Sequence, residues 1–465
     1  MAEMRAALAL AALAALAAVV VSGGSGADPR TPPALPGLPP PFLGVAVIGN
    51  GARVEAIDAY GDVVGLWAPG PAGRARIYNP ARRQAAGTVP ADTGIVARMQ
   101  VGGESIPLWR ADSVRQHYVA GTNVLRTVAR VGGRRAVIVR SLGGPQAAAA
   151  DRRWVERGRP LGTGAPEWAR RMYERSLLVL RALTDRRTGA VAAGARDGWA
   201  YVWPRDAGAV AIALASAGYR TQARRIVHFL LGLDLEAAAR FHGDGTPVGG
   251  RAAQGDAEGW IAAAARAAGL PGSVARQDWR GRADYQEGDP GEYFANAIAS
   301  TAVDEPESGP YPHLSAHRRR GWMIQAEFGI PGGLLARRAG DPGSGIDSAA
   351  AWAVRPFALP RLRPLVRHSL LRLAARSGRF GILPSEGWSG GNDPWTAPTA
   401  WTAWSLAALG ERHAALHLMA ELRRAATPAG MLPERVGART GVPTSTTPLA
   451  WSQAFAILAL RQLWP

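Results

Sequence analysis

The chain has 465 residues, of which 47% are hydrophobic and 19% charged, a balance that supports a buried core and excludes general disorder. Cysteine is absent, which excludes disulfides, thiolate metal sites and cysteine nucleophiles, and with only eight histidines we expect no metal site. The net charge of +18 suggests a polyanion partner, but every basic residue is arginine and the arginines are scattered along the chain. We therefore attribute the charge to composition and predict no nucleic-acid partner.

The N-terminus carries an apolar run that predicts export. Residues 6–21 (AALALAALAALAAVVV) follow Arg5 and lead into small residues up to Ala27, which is the layout of a secretory signal. We expect a signal peptide over 1–27, a proline-rich linker over 28–41, and a secreted or extracytoplasmic protein. The run is shorter than the roughly 20 residues that usually cross a bilayer. An uncleaved anchor is therefore the alternative, and it is the one membrane contact expected.

The chain from residue 42 to 150 has the pattern of short antiparallel strands. Runs rich in valine and isoleucine alternate with glycine-containing turns such as Asn50-Gly51 and Gly132-Gly133. This spacing predicts an N-terminal β-sandwich. The predicted strands are Val45–Ile48, Val54–Ile57, Val63–Trp67, Thr127–Val131 and Arg135–Val139.

From residue 166 to 465 the hydrophobic pattern is helical. Alanine- and leucine-rich segments are separated by loops that contain glycine or proline, which favours a helical bundle or toroid over a nucleotide-binding sheet. No GxGxxG or Walker-type loop follows a strand, so we predict no nucleotide cofactor. The predicted helices are Trp168–Leu183, Ala207–Ala217, Thr221–Leu233, Glu258–Ala268, Pro364–Ser377, Pro398–Leu409, Ala414–Ala425 and Pro448–Leu463.

Four loops of the helical region place tryptophan beside acidic residues. They contain the sequences WAYVWPRD (199–206), QGDAEGW (254–260), EGWSGGNDPW (386–395) and LPER (432–435), the last followed by GVPTSTTPLAWS (441–452) with Trp451. Indole faces stack on sugar rings, and carboxylates and arginine bind hydroxyl groups. Two carboxyl groups across a glycosidic bond can protonate the leaving oxygen and activate water. The combination predicts an oligosaccharide or polysaccharide substrate, with no partner protein evident.

Each of these residues also has a purely structural interpretation. Trp203 and Trp395 could be core aromatics with a polar edge. Asp206 and Asp256 could cap helices, and Glu434 could be a solvated surface acid. The repetition of the same residue types in four loops of one region favours the functional interpretation.

At this point the sequence resembles glycoside hydrolase family 15, which contains bacterial glucoamylases, glucodextranases and some trehalases. Residues 175–219, with WPRD, resemble the opening of that family's catalytic domain, and 430–460 (GMLPERVGARTGVPTSTTPLAWSQAFAILAL) resemble its closing motif. Residues 389–401, 48–71 and 118–127 resemble further family segments. The resemblance is strong at both ends and weak between about 270 and 345.

This resemblance implies a mainly α fold, an (α/α)6 barrel preceded by a smaller β-sandwich, and inverting release of sugar from a non-reducing end. Glu434 matches the family's general base. Arg205 and Asp206 match the pair that binds hydroxyls of the terminal sugar. The remaining substrate-binding candidates are Trp203, Gln254, Asp256, Glu386, Trp388 and Trp395. Inversion needs room for water, so the acid and base carboxyls should lie about 6.5–9.5 Å apart.

The general acid departs from the family pattern. The family supplies it from a Trp-Glu motif, and no such pair occurs in the expected region between Asp256 and Asp347. The sequence DYQEGD (284–289) comes nearest, and it makes Glu287 the candidate. Weaker options are Glu292, Glu305 and Glu327, and the arginine expected before Pro384 is replaced by Ile382-Leu383.

Three hypotheses follow. The first is an exported glycosidase of glucoamylase type, with a trehalase-type specificity as a variant of it. The second is a carbohydrate-binding or scaffold protein that retains the barrel and has lost the acid. The third is a polyanion binder, which a single-sided arginine surface would favour.

Overall fold

The computed structural model describes residues 33–69, 75–78, 96–195, 199–271, 278–303 and 316–465. The predicted signal peptide and the first part of the predicted linker lie outside these ranges. Among the described residues, no helix combines the length and hydropathy needed to cross a membrane.

The described residues of the N-terminal part contain nine antiparallel strands, and all five predicted strands are confirmed. The strands form a four-stranded sheet in the order β1-β2-β3-β4, a β5-β6 hairpin and a three-stranded sheet in the order β7-β8-β9. Their bounds are β1 Gly44–Gly49, β2 Val54–Asp58, β3 Val63–Pro69, β4 Ala75–Tyr78, β5 Arg98–Val101, β6 Glu104–Pro107, β7 Ser113–Tyr118, β8 Leu125–Val131 and β9 Arg134–Arg140.

The four-stranded sheet is packed on both faces, because one face contacts helices and the other contacts the three-stranded sheet. Strands β1 and β2 are fully buried along their length. Val47 and Val54 share a core with the helical part, whereas Val45 packs in a separate core with Val114 and Val131 of the second sheet. Gly49 permits the close approach, since a Cβ there would lie 2.7 Å from that of Ala182.

The rest of the chain is mainly helical. All eight predicted helices are confirmed with small shifts of their ends, and α1, α6 and α7 were not predicted. The helices are α1 Ala147–Glu156, α2 Glu167–Leu183, α3 Pro204–Ser216, α4 Arg220–Leu231, α5 Ala257–Ala268, α6 Phe294–Ser300, α7 Ala316–Phe328, α8 Arg363–Ala374, α9 Thr396–Ala408, α10 Arg412–Ala425 and α11 Ala450–Leu463. A small sheet of β10 Gly329–Ile330, β11 Leu334–Arg338 and β12 Asp341–Ile346 follows α7.

Six segments form a closed inner ring. Each segment contacts the next one around the ring. The order is α3, α5, α6, the 3₁₀ helix Ser348–Ala353, α9 and α11, and α11 contacts α3 to close it. Helices α2, α4, α7, α8 and α10 lie outside and pack against the inner ring or its neighbours. Between α5 and α6 the described residues contain no outer helix. The predicted fold class, an (α/α)6 barrel with small antiparallel sheets before it, is confirmed.

Candidate active site

The sequence-predicted residues cluster where inner helices begin. Trp203 directly precedes α3, Asp256 precedes α5 and Trp395 precedes α9. An outer helix leads the chain back after α3 and after α9, so the inner helices run in one direction and these starts meet at one end of the barrel. Pro204 at the first position of α3 needs no amide partner there, which suits the sharp turn from strand-like backbone into the helix.

Arg205 is the centre of a buried charge network. Its Nη1 donates to Gln254 Oε1 at 2.8 Å and to Asp256 Oδ2 at 3.0 Å. Its Nη2 lies 3.5 Å from Asp206 Oδ2, and its guanidinium lies 4.7 Å from the ring centre of Trp451. The side chain therefore joins the starts of α3, α5 and α11.

The pKa of the Asp206 carboxyl lies well above that of an ordinary aspartate. Burial raises the pKa of this carboxyl to about 7, and Arg205 opposes that shift while Asp256 and Glu434 add to it. The interaction with Glu434 also indicates that Asp206 and Glu434 belong to one site.

Glu434 is held by two donors. Trp199 Nε1 donates to its Oε1 at 3.2 Å, and the Ser445 hydroxyl donates to its Oε2. Burial raises the pKa of Glu434 above its usual value, and these hydrogen bonds together with Arg435 and Arg251 oppose the shift. A carboxyl with a raised pKa and a fixed orientation is suited to accept a proton from water.

Several buried polar atoms around this network have no hydrogen-bond partner in the part of the chain that the structure describes. Buried donors and acceptors are normally paired, so the unpartnered atoms in the loops around Arg205 are available to a ligand rich in hydroxyl groups. The atoms are the indole Nε1 of Trp203, Trp395 and Trp451, together with Arg205 Nε and Asp256 Oδ1.

Glu287 lies in an exposed turn beside this site. Its backbone adopts the left-handed conformation, with φ of 56°, which is uncommon for a residue other than glycine. Its carboxylate pairs with Arg251. Arg251 in turn interacts electrostatically with both Glu434 and Arg205, which lies on the floor of the same site. Glu292 and Glu327 both pair with Arg280, and Glu305 lies outside the described residues.

Glu386 and Trp388 occupy different surroundings. The Glu386 carboxylate pairs with Arg372 of α8 at 2.7 Å and with Arg376, which follows the end of that helix. Trp388 packs edge-on against Trp395 with 5.3 Å between ring centres. Trp388 thus lies beside Trp395, whereas the carboxylate of Glu386 is already paired with arginines. The role of Glu386 in substrate binding stays a prediction.

A second buried network was missed by the sequence reasoning. Arg337 pairs with Asp284 at 3.0 Å and with Asp347 at 3.5 Å. The Tyr285 hydroxyl donates to Asp347 at 2.6 Å, and Gln286 donates to Asp347 at 3.1 Å. Burial raises the pKa of Asp347 to about 7. Gln254 donates to the Asp284 carbonyl at 3.3 Å, so the two networks are continuous.

Two of the missed residues lie inside motifs that were recognised. Trp199 opens WAYVWPRD, and Ser445 follows the GVP sequence after LPER. Their hydrogen bonds to Glu434 span 235 and 11 residues, so no local pattern could have indicated them. Arg337 sits in the stretch of weak resemblance and has no motif around it.

A cavity of about 360 Å³ lies elsewhere, between the N-terminal sheets and the turn 427–429. Its lining is mostly aliphatic and includes Leu38, Val45, Val114 and Ala429, with no aspartate or glutamate. It therefore lacks the groups for acid–base chemistry, which concentrate at the barrel end.

Comparison with known proteins agrees with this geometry at the level of fold. No family model matches the chain, and no curated protein is similar in sequence. Among solved structures, a wild-type glycosidase matches 64% of this chain and 99% of its own at 20% identity, with a TM-score of 0.53. A bacterial glucoamylase in complex with acarbose matches 68% of this chain and 58% of its own at 15% identity and a TM-score of 0.52.

A glucoamylase from Saccharomycopsis fibuligera matches 65% of this chain and 96% of its own at 13% identity, with a TM-score of 0.50. At these identities the likeness establishes the fold. The chain has the helical barrel fold of the glucoamylases, as its resemblance to glycoside hydrolase family 15 predicts.

Proposed function

We propose that the protein is a glycoside hydrolase that cleaves α-glucosidic bonds from non-reducing ends with inversion. The observation that carries the proposal is the fixed carboxylate of Glu434, which shares one site with the Arg205 network and with unpaired indole and carboxylate atoms. Support comes also from the fold, since structural neighbours include a glucoamylase in complex with acarbose and a glycosidase variant in complex with glucose.

In this mechanism Arg205, Asp206 and Asp256 bind hydroxyls of the terminal sugar at the barrel floor. Glu434 removes a proton from a water molecule as that water forms a bond to the anomeric carbon. The bond to the glycosidic oxygen breaks as a general acid delivers a proton to that oxygen. The sugar leaves with inverted configuration, and the two carboxyl groups have exchanged roles.

Glu287 is our proposed general acid, because its carboxylate lies beside Arg251, which interacts with Glu434. The pairing with Arg251 favours an ionised carboxylate, whereas a general acid must hold a proton. Substrate binding therefore has to separate Glu287 from Arg251 before the step. The Glu287–Arg251 pair is therefore also the observation that favours the second candidate function, a carbohydrate-binding protein. A barrel in which this pair stays closed binds sugar without cleaving it.

Sugar release and product anomer, measured by NMR on maltooligosaccharides, dextran, trehalose and aryl α-glucosides, test the activity and distinguish glucoamylase from trehalase specificity. An initial β-anomer is expected, and an initial α-anomer contradicts inversion. Sugar binding by calorimetry with no turnover of any substrate would favour the impaired barrel. We also propose export, on the N-terminal sequence alone, which fractionation of expressing cells tests.

The Glu287→Gln variant tests the acid. Its activity should fall most on substrates with poor leaving groups, because a good aryl leaving group departs without protonation. Equal loss on good and poor leaving groups would exclude Glu287 as the proton donor.

A further inference from the structure

The three-stranded sheet of β7, β8 and β9 has one solvent-exposed face that nothing above explains. The pairing register is antiparallel and regular, with Ser113 opposite Arg130, Arg115 opposite Val128 and His117 opposite Arg126. In the next pair Arg126 is opposite Val139, Val128 opposite Val137 and Arg130 opposite Arg135. Since side chains alternate between faces, these nine residues share one face.

The opposite face of the same sheet is the buried one. Val114, Ala129 and Val131 lie in the second hydrophobic core, and Ala136 and Ile138 pack against it. The outward face is therefore a fixed surface, held in place by the core behind it.

The composition of the outward face is unusual for a solvated sheet. It carries four arginines and a histidine, and none of its nine positions is aspartate or glutamate. No ion pair joins these arginines to a described acid, and Arg126 Nε is buried without a hydrogen-bond partner there. The nearby Asp112 carboxylate is occupied at the sheet end, where it accepts from the Gly132 amide at 2.8 Å.

The face also exposes aliphatic side chains along its edge strand, β9. Val137 is 38% exposed and Val139 is 60% exposed, which is costly in water and uncommon for β-branched residues. Val137 is opposite Val128 and Val139 is opposite Arg126, so the apolar patch lies at the β9 edge and is bordered on its other sides by Arg115, Arg126, Arg130 and Arg135.

We propose that this face docks on an anionic lipid bilayer. Aliphatic side chains enter the headgroup region, and arginines around them reach the lipid phosphates. A single-stranded nucleic acid would need large aromatic side chains on which bases stack, and the nine residues of the face include no tryptophan, tyrosine or phenylalanine. A sugar polymer usually needs the same aromatics. The combination of exposed valines and cations that have no ion pair with a described acid matches lipid, and it does not depend on the proposed enzymatic function.

The test is binding of the full chain to phosphatidylcholine vesicles with and without phosphatidylglycerol, by co-sedimentation at low and high salt. The variant Arg130→Gln/Arg135→Gln should lower the partition coefficient on anionic vesicles about 30-fold. A matched control, Arg153→Gln/Arg220→Gln, removes two exposed arginines from α1 and α4, so its net charge equals that of the Arg130→Gln/Arg135→Gln variant. It should lose little binding, since those residues lie off the face.

A second variant, Val137→Ser/Val139→Ser, keeps every charge and should also weaken binding to anionic vesicles. Circular dichroism and thermal unfolding verify that each variant is folded. Equal loss in the face variant and in the matched control would overturn the proposal, because net charge alone would then explain binding. Equal binding of all variants would also overturn it, as would a loss seen with polyphosphate or single-stranded DNA and not with anionic vesicles.

Discussion

Replacing Glu434 with glutamine separates catalysis from stability. The amide cannot take a proton from water, and a positioned general base contributes about 10²–10⁴-fold to rate. We expect kcat to fall about 1000-fold, which corresponds to about 4 kcal/mol of transition-state stabilisation. The Michaelis constant should change little, because the Arg205 network that binds the terminal sugar is untouched.

The same change should not destabilise the fold. Glutamine keeps an acceptor for Trp199, and the Ser445 hydroxyl can rotate to accept from the new amide. Burial raises the pKa of Glu434, so the wild-type stability that depends on the protonated form is present at low pH and is lost as pH rises through the folded pKa. The variant has no such loss, and its melting temperature at neutral pH should equal or exceed that of the wild type.

The assay is release of an aryl alcohol from an aryl α-glucoside, with melting temperature measured on the same samples. Glu421→Gln is the matched control, because Glu421 is also buried and accepts from a serine, Ser377, at 2.7 Å, but lies on the outer helix α10. Its kcat should stay unchanged. Retention of activity within tenfold by the Glu434 variant would refute its assignment as the base, and a large loss of stability would refute the reasoning on burial.

Three further predictions concern protonation. Trp199→Phe removes a donor to Glu434 and should move the acidic limb of the kcat/KM profile to higher pH; an unmoved limb would separate Trp199 from the base. The pKa of Asp206 is raised to about 7, so the stability contributed by its protonated form is lost as the pH rises from about 4 to 7. Asp206→Asn should therefore flatten the dependence of the free energy of unfolding on pH in this range, as urea unfolding would measure. Burial and Asp58 raise the pKa of Asp62 to about 9, so the stability contributed by its protonated form is lost progressively from about pH 4 to pH 9, and Asp62→Asn should stabilise the protein strongly at pH 8 and less at pH 5; an equal effect at both pH values would contradict this.

Periodicity predicted the elements that are long or strongly patterned. Helices such as α2 and α11 bury a continuous stripe or their whole surface, and their sequences show it. Helix α6 has seven residues and the inner segment Ser348–Ala353 is a 3₁₀ helix, so neither is long enough to show a helical period. Both are fixed by packing in the ring.

Residues of the candidate site were predicted where they lie in local sequence motifs, and they were missed where only the fold brings them to the site. Asp206 and Glu434 sit in local motifs, whereas Arg337 and Asp347 reach the site through β11 and the 3₁₀ helix that follows β12. A short sequence also does not show which way a carboxylate points. Glu386 has the same Trp-acid surroundings as the other loops, yet its carboxylate turns to Arg372.

Charge in this protein is divided between surface and interior. The chain carries an excess of 18 positive charges, but four aspartates, at 206, 256, 284 and 347, are buried in the barrel with two arginines, Arg205 and Arg337. Two guanidinium groups cannot neutralise four carboxylates, so burial raises the pKa of Asp206 and Asp347 to about 7 and favours protonation of part of the network. Taking these charged groups out of water carries a large desolvation cost. The network is retained at a cost to stability, which is the pattern expected of a site that binds hydroxyl groups and moves protons.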